Sequence, residues 1–206
     1  MKKLSFLLIV LISSFSFAQV TFKLGIRGGA NFSHFTQGSG VQNYLYYNND
    51  THSYEEIKAP YKFTNRTDFY LGIFGNIRLG KSYALQPELI YSGQGSKVEN
   101  SGRYDRDEYK ISYLGTQLVN KFYFKKLNVL IGPTIDLAMS KDFDSSYEFD
   151  LGITAGLGYD ITENFGVEAR IKHGFLHTIN NYQGKHANVV FQTGIYYSIN
   201  MKKQKL

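Results

Sequence analysis

The chain has 206 residues, a net charge of +6 and no cysteine, so one domain fits, while a disulfide-stapled secreted module, a cysteine-linked lipid anchor and a thiolate metal site are excluded. Twenty Gly, 17 Tyr and 16 Phe against three Pro and no Trp suit tightly packed strands better than long helices. The mild charge makes no case for nucleic acid.

The first element is a leader. Lys2 and Lys3 form a charged start, Leu4 to Phe17 an apolar run, and Ser16-Phe17-Ala18 a small-residue cleavage site, so residues 1–18 read as a signal peptide cut between Ala18 and Gln19. The run is shorter than the roughly 20 residues of a spanning helix, and nothing later is as long. Removing the leader and its two lysines takes the net charge from +6 to +4.

Residues 19–206 then alternate apolar and polar side chains in eight segments. In Val20 to Ser33, Phe22, Leu24, Ile26, Ala30 and Phe32 share one face, with Lys23, Gly25, Arg27, Gly29 and Asn31 on the other. Thr67–Leu79, Ala84–Lys97, Ile111–Phe124, Leu127–Met139, Glu148–Ile161, Phe165–Phe175 and Asn188–Met201 complete the set. Pro87 and Pro133 cannot donate to a ladder, and mid-strand Pro133 predicts a bulge or a break in pairing. Tight connections at Gly80–Tyr83, Lys125-Lys126 and Thr162–Asn164 alternate with longer ones at His34–Arg66, Val98–Glu108, Ser140–Tyr147 and Leu176–Ala187. Short and long loops at opposite ends are the pattern of outer-membrane barrels, which puts both termini in the periplasm.

A soluble lipocalin-like barrel has the same period with its apolar face inside. Glycine decides between them. Gly25, Gly29, Gly72, Gly152, Gly156, Gly158, Gly166, Gly174 and Gly194 share the polar face, where a narrow eight-stranded lumen needs small residues and a soluble exterior does not. Aromatic residues near strand ends, at Phe22, Phe69, Tyr83, Tyr109, Phe124, Tyr147, Phe165 and Phe175, suit interfacial girdles. The fold expected is all-β: an eight-stranded antiparallel up-and-down transmembrane barrel.

Leu85-Gln86-Pro87-Glu88-Leu89-Ile90-Tyr91-Ser92 with Gly95, then Tyr113-Leu114 leading to Lys121-Phe122-Tyr123-Phe124, followed by Gly132-Pro133, Phe149-Asp150-Leu151-Gly152, Gly156-Leu157-Gly158-Tyr159 and Val167-Glu168-Ala169-Arg170, together resemble the PorT-like outer-membrane β-barrel proteins of Gram-negative bacteria. The resemblance runs through nearly the whole mature chain. It implies an integral outer-membrane barrel, and the members of the family are mostly without an assigned activity. The partners expected are outer-membrane lipid, lipopolysaccharide and the barrel-assembly machinery, and no cofactor is expected.

With polar faces inward, Lys23, Arg27, Arg78, Lys121, Arg170 and Lys172 share a narrow interior with Glu88, Asp136, Asp150, Asp160 and Glu168. A lone buried ion costs several kcal/mol, so these groups are expected to pair, with Tyr70, Asn76, Gln86 and Gln192 assisting. Arg78 and Glu88 flank one short turn on the same face and are expected as cross-strand or diagonal neighbours. Such a lumen is a plug; rearranged pairs would make it a small porin-like channel. The first long loop, with Tyr44, Tyr46, Tyr47, Tyr54 and Tyr61 among Asn and acidic residues, suits either a hydrophilic cover or surface contacts.

Catalytic signals are thin. His34, His52, His173, His177 and His186 show no metal-ligand spacing. Ser33-His34 would need an orienting acid to serve a loop-borne membrane enzyme. Asp142 to Glu148 has alternate carboxylates but lacks the glycine and length of a calcium loop.

Overall fold

The structure, a computed structural model, describes residues 20–36, 41–60, 62–99, 108–143, 147–181 and 184–200. The leader, Ala18, Gln19, Tyr61, Asp144 and residues 182–183 lie outside them. Eleven strands follow in order: β1 (Val20–Phe35), β2 (Val41–Asn48), β3 (Ser53–Pro60), β4 (Lys62–Thr64), β5 (Arg66–Leu79), β6 (Tyr83–Glu99), β7 (Glu108–Phe124), β8 (Leu127–Lys141), β9 (Phe149–Asp160), β10 (Phe165–Asn181) and β11 (Gly184–Asn200). Strands β1, β5, β6, β7, β8, β9, β10 and β11 each pair antiparallel with both neighbours, and the β1–β11 pairing closes the barrel. Closure leaves no edge, as strands in lipid require.

The alternation becomes two walls. Ile26, Phe69, Leu71, Ile73, Phe124, Met139, Leu157 and Ile199 point outward and are at least half exposed, as is required when lipid is the outer solvent. Arg27, Asn31, Gln86, Glu88, Arg170 and Lys172 point inward and are buried. The inward glycines make the narrow lumen passable for long side chains: a Cβ on Gly156 would sit 2.4 Å from Ala169 O and 2.9 Å from Arg170 Cγ. Among the aromatic residues at strand ends, Phe22, Phe69, Phe124, Tyr147 and Phe175 do face outward. Tyr109 does not. It packs inside against Phe35 and Phe63, because inward positions of β7 are the odd-numbered ones.

Two connections read as loops are largely strand. His34–Arg66 contains the end of β1, the β2–β3 hairpin and β4, and Leu176–Ala187 is spanned by extensions of β10 and β11. In that stretch β10 and β11 pair with register shifts past His173, and such bulges break the simple alternation that marks a strand in sequence. Both prolines interrupt pairing on one side without a bulge. Pairing of β7 with β8 skips from Gln117↔Thr134 to Asn120↔Ile131 in unchanged register opposite Pro133, and β5 with β6 skips from Phe74↔Glu88 to Ile77↔Leu85 opposite Pro87. On their other sides Pro133↔Ile153 and Pro87↔Leu118 remain paired. The missing N–H therefore leaves two residue pairs unmatched on one side of each proline and keeps the register intact.

Above Tyr70 the β5–β6 pairing ends, and side chains bridge the seam. Asn31 Nδ2 donates to Gly93 O (2.8 Å), Gly95 N to Ser33 Oγ (2.9 Å) and Arg66 Nη1 to Gln94 O (3.0 Å). Beyond it β4 takes up β6 again, one residue out of step: Phe63 pairs with Val98, whereas the β5 register would have placed Thr64 there. A one-residue slip exchanges the faces of a strand. Odd-numbered Phe63 is thereby turned inward and is 3% exposed, while odd-numbered Phe69 on β5 is 61% exposed.

Candidate functional site

Four charges meet at the centre of the lumen. Arg27 (β1) and Arg170 (β10) face Glu88 (β6) and Glu168 (β10), with Arg27 Nη1 2.6 Å from Glu88 Oε2, Arg27 Nη2 2.8 Å from Glu168 Oε1, and Arg170 Nη2 2.9 Å from both Glu88 Oε1 and Glu168 Oε2. The square is neutral. Its side chains are buried, the most exposed at 2%. Glu88 also accepts from Arg170 Nη1 at 2.9 Å and Gln86 Nε2 at 2.7 Å, and Gln86 in turn accepts from Asn76 at 2.8 Å. Charges removed from water this completely are stable only when paired; the square pairs all four, while Arg27 Nε and Arg170 Nε are buried without a hydrogen-bond partner among the described residues. Arg27 also lies 4.9 Å from the Tyr70 ring centroid.

Toward the long-loop end lies an amide and hydroxyl layer. Gln192 Nε2 donates to Asn31 Oδ1 (2.8 Å), Asn31 to Ser92 Oγ (2.8 Å) and Gln94 Nε2 to Ser92 Oγ (2.8 Å). Lys172 pairs with Asp136 and reaches Gln94 Oε1 at 3.2 Å. Above this layer an apolar lid closes the mouth. Phe35 and Phe63 meet edge to face at 5.3 Å, Tyr109 and Phe143 at 5.2 Å, and the His186 ring stands 4.8 Å from Phe63. Outside the lid Glu108 accepts from Lys110, which holds its carboxyl below the usual range with help from Arg66.

The outward apolar wall, polar core and closed eight-stranded ladder fit the sequence family whose model, described as "Outer membrane protein beta-barrel domain", matches residues 17–180. The chain belongs to that family. Among solved structures, Neisserial surface protein A is similar with a TM-score of 0.53 and 14% identity, over 85% of this chain and 97% of that one. OprG from Pseudomonas aeruginosa is similar with a TM-score of 0.52 and 15% identity, over 89% and 98%. These likenesses concern the fold. None of the curated proteins matches the sequence.

Within this outer-membrane barrel the remaining expected residues take other places. Arg78 and Glu88 are not neighbours: Arg78 pairs with Ala84 and Glu88 with Phe74, four residues along the strand. Arg78 instead donates to Lys81 O at 2.9 Å and stacks 3.9 Å from the Tyr123 centroid. Lys23 donates to Glu163 O at 2.8 Å at the turn-end rim. Asp160 accepts from the Tyr196 hydroxyl, and Asp150 from the Leu176 amide at 3.1 Å. Lys121 is buried against Tyr196 and Tyr123, beyond ion-pair reach of the square but within electrostatic range of its Glu168. Turn proximity misled for Arg78 because antiparallel register, not distance from the turn alone, sets which side chains face each other.

Tyr44 and Tyr46 lie on β2, so the expected loop is a hairpin there, and their side chains lie outside the described residues. Tyr47 and Tyr54 are opposite each other in that hairpin with ring centroids 5.1 Å apart, both exposed. The Ser33-His34 pair is split by strand geometry. Ser33 points inward and accepts from Gly95 N, while His34 takes the opposite parity on β1. Asp142 Oδ1 accepts from Lys110 N at 2.9 Å, and no group of three metal-binding side chains occurs among the described residues. Sequence reading missed the lid. Its signal was apolar residues at inward positions, Phe35 and Val98, at the loop ends of β1 and β6.

Proposed function

We propose that this protein is a non-conducting, non-enzymatic barrel of the PorT-like group, a rigid outer-membrane anchor that presents its long-loop end to a partner. The observation that carries the reading is the neutral Arg27, Glu88, Arg170, Glu168 square across the centre of the lumen. A water column has no path through four interlocked, desolvated side chains, and the apolar lid adds a second barrier beyond them. Ser33, the hydroxyl beside His34, is engaged with backbone, so a nucleophile of that pair is disfavoured.

The orientation follows from loop length. The turns at Gly80, at Lys125-Lys126 and at residues 161–164 gather at one end with Val20 and Asn200, and short turns of this kind are periplasmic in outer-membrane barrels. The leader would be cut after Ala18, leaving Gln19 as the first residue. Outer-membrane lipid and lipopolysaccharide contact the wall, the barrel-assembly machinery inserts it, and the β2–β3 hairpin with Tyr47 and Tyr54 is the contact surface for a partner. Planar-bilayer recording tests the plug. The expected trace is closed; steady conductance at the level of a water-filled pore would replace this reading with a small porin-like channel.

A further inference from the structure

We propose that the turn end of the lumen is a binding site for a polyvalent oxyanion of the phosphate class, with Lys121 as its innermost ligand. The starting observation is a buried cation with no carboxylate in direct contact. Lys121 is 2% exposed; its ammonium lies against ring faces, 4.8 Å from the Tyr196 centroid and 6.0 Å from that of Tyr123, and Glu168, Glu88 and Asp160 attract it only from beyond ion-pair distance. Among the described residues it has no hydrogen bond and no ion pair, whereas the other buried lumen cations, Arg27, Arg170 and Lys172, each hold a carboxylate. Ring quadrupoles attract a cation without supplying an anion, and a buried ammonium without one is costly. Of the carboxylates that attract it, Glu168 and Glu88 are held by the arginines of the square and Asp160 accepts from the Tyr196 hydroxyl, so none contacts the ammonium directly.

Space and further charge lie beside it. Lys121 lines a small cavity of about 40 Å³ with Asn76, Gln86 and Ser198, larger than the roughly 10–15 Å³ that one water needs. That cavity shares Lys23, Arg78, Asp160 and Glu163 with a wider pocket of about 480 Å³ at the rim, which Lys125 and Lys126 also line. The rim cations are fixed by carbonyl oxygens: Lys23 by Glu163 O (2.8 Å), Arg78 by Lys81 O (2.9 Å) and Lys126 by Ile161 O (3.4 Å). A carbonyl holds a cation in place without cancelling its charge. Five cations thus face two carboxylates across this mouth. The surplus calls for more than one negative charge, and a tetrahedral oxyanion has oxygens enough to reach the ammonium and rim groups together. A phospholipid headgroup and a free phosphate share that chemistry, and the turn end is open to both.

The test uses the refolded full barrel in a phosphate-free zwitterionic detergent. Its thermal unfolding midpoint is followed against inorganic phosphate, with sodium chloride at matched ionic strength as the control, and separately against added phosphatidylglycerol. A ligand of the folded state raises the midpoint. The wild type is expected to show a saturable rise that chloride does not give, and Lys121→Met to lose it while still folding, since Met keeps the stem and removes an unpaired charge. Lys121→Arg should keep the rise. A response to inorganic phosphate identifies a free anion as ligand; a response to phosphatidylglycerol alone identifies the lipid headgroup. Should Lys121→Met fail to fold, the rim variant Lys23→Ala/Arg78→Ala decides, with half-saturation expected at no less than tenfold higher ligand. No shift with either probe, or an undiminished shift in the Lys121→Met or rim variant, overturns the site.

Discussion

Glu88 is the hinge of the central square, and its removal gives the most direct measure of what the lumen contributes. Its two oxygens take charge-assisted contacts from Arg27 Nη1, Arg170 Nη1 and Arg170 Nη2, and a neutral one from Gln86. Glu88→Ala leaves two guanidinium groups against Glu168 alone, in surroundings where none of the four side chains is more than 2% exposed. Breaking a buried pair by deleting one partner costs about 3–5 kcal/mol, which at about 1.4 kcal/mol per factor of ten shifts the folding equilibrium by roughly 10²- to 10⁴-fold. Glu88→Gln keeps the shape and one acceptor oxygen and should cost less than Ala, because fewer donors are left empty. Glu88→Ala/Arg27→Ala restores neutrality, so its cost should fall short of the sum of the singles by about 0.5–3 kcal/mol. The assay is reversible urea unfolding into lipid vesicles, read by the shift between compact and unfolded gel bands without boiling. If Glu88→Ala lies within about 0.5 kcal/mol of wild type, in the range of an ordinary surface change, the square is not desolvated and does not plug the lumen.

Further expectations concern the wall and the mouth. Ile73→Arg and Ile153→Arg place a cation against lipid and should each cost about 2–4 kcal/mol of insertion near the midplane, visible as loss of the compact band; the exposed hairpin change Asp50→Arg is the control, and equal tolerance would show that the faces are reversed. Gly156→Arg should also fail, for another reason: its Cβ would meet Ala169 O at 2.4 Å, so Gly156→Ala, which tests backbone clash without charge, should be measurably destabilising too. Phe63→Ala empties the lid of a ring that touches Phe35 and His186 and should cost up to about 3–5 kcal/mol, less where water can fill the mouth. Neither Phe63→Ala nor Glu88→Ala alone is expected to conduct in a planar bilayer, whereas the double variant should; a silent double variant would mean that the Lys172 and Asp136 layer is itself a seal.

The wall was legible in the sequence because lipid enforces it. Outward positions of a spanning strand are predominantly apolar, and the resulting period of two in exposure survives over long stretches of β1, β5 and β8. The membership of the lumen was legible for the same reason: Arg27, Glu88, Glu168 and Arg170 all hold inward parity. Their pairing was not, since it depends on which strands face each other across the barrel and on their stagger, neither of which is written in a local pattern. Arg78 shows the limit. It shares a hairpin with Glu88, yet ladder register sets them four residues apart, and the partners of Glu88 come from β1 and β10. The upper strands were hidden where register shifts, as at β4 and beyond His173, because a slip turns a regular alternation into an apparent loop.

Wall and lumen together leave little sequence free to carry a specific function. The outside is committed to lipid, and the central inside to charges that stabilise only as a set, so a substitution at either place is read first as a folding defect. What varies without that penalty is the two ends. At one, β4 breaks step with β5 so that an aromatic side chain seals the barrel from above, leaving the β2–β3 hairpin outside to change independently of the seal. At the other, cations are held by carbonyl oxygens with no ion pair to a carboxylate among the described residues, an arrangement with no structural need for so much positive charge. A barrel built only to be inert would pair Lys121 as it pairs Arg170 or replace it with Met. Lys121, set among tyrosine rings with no carboxylate in direct contact, is therefore the feature of the interior least accounted for by folding, and the one whose substitution separates stability from binding.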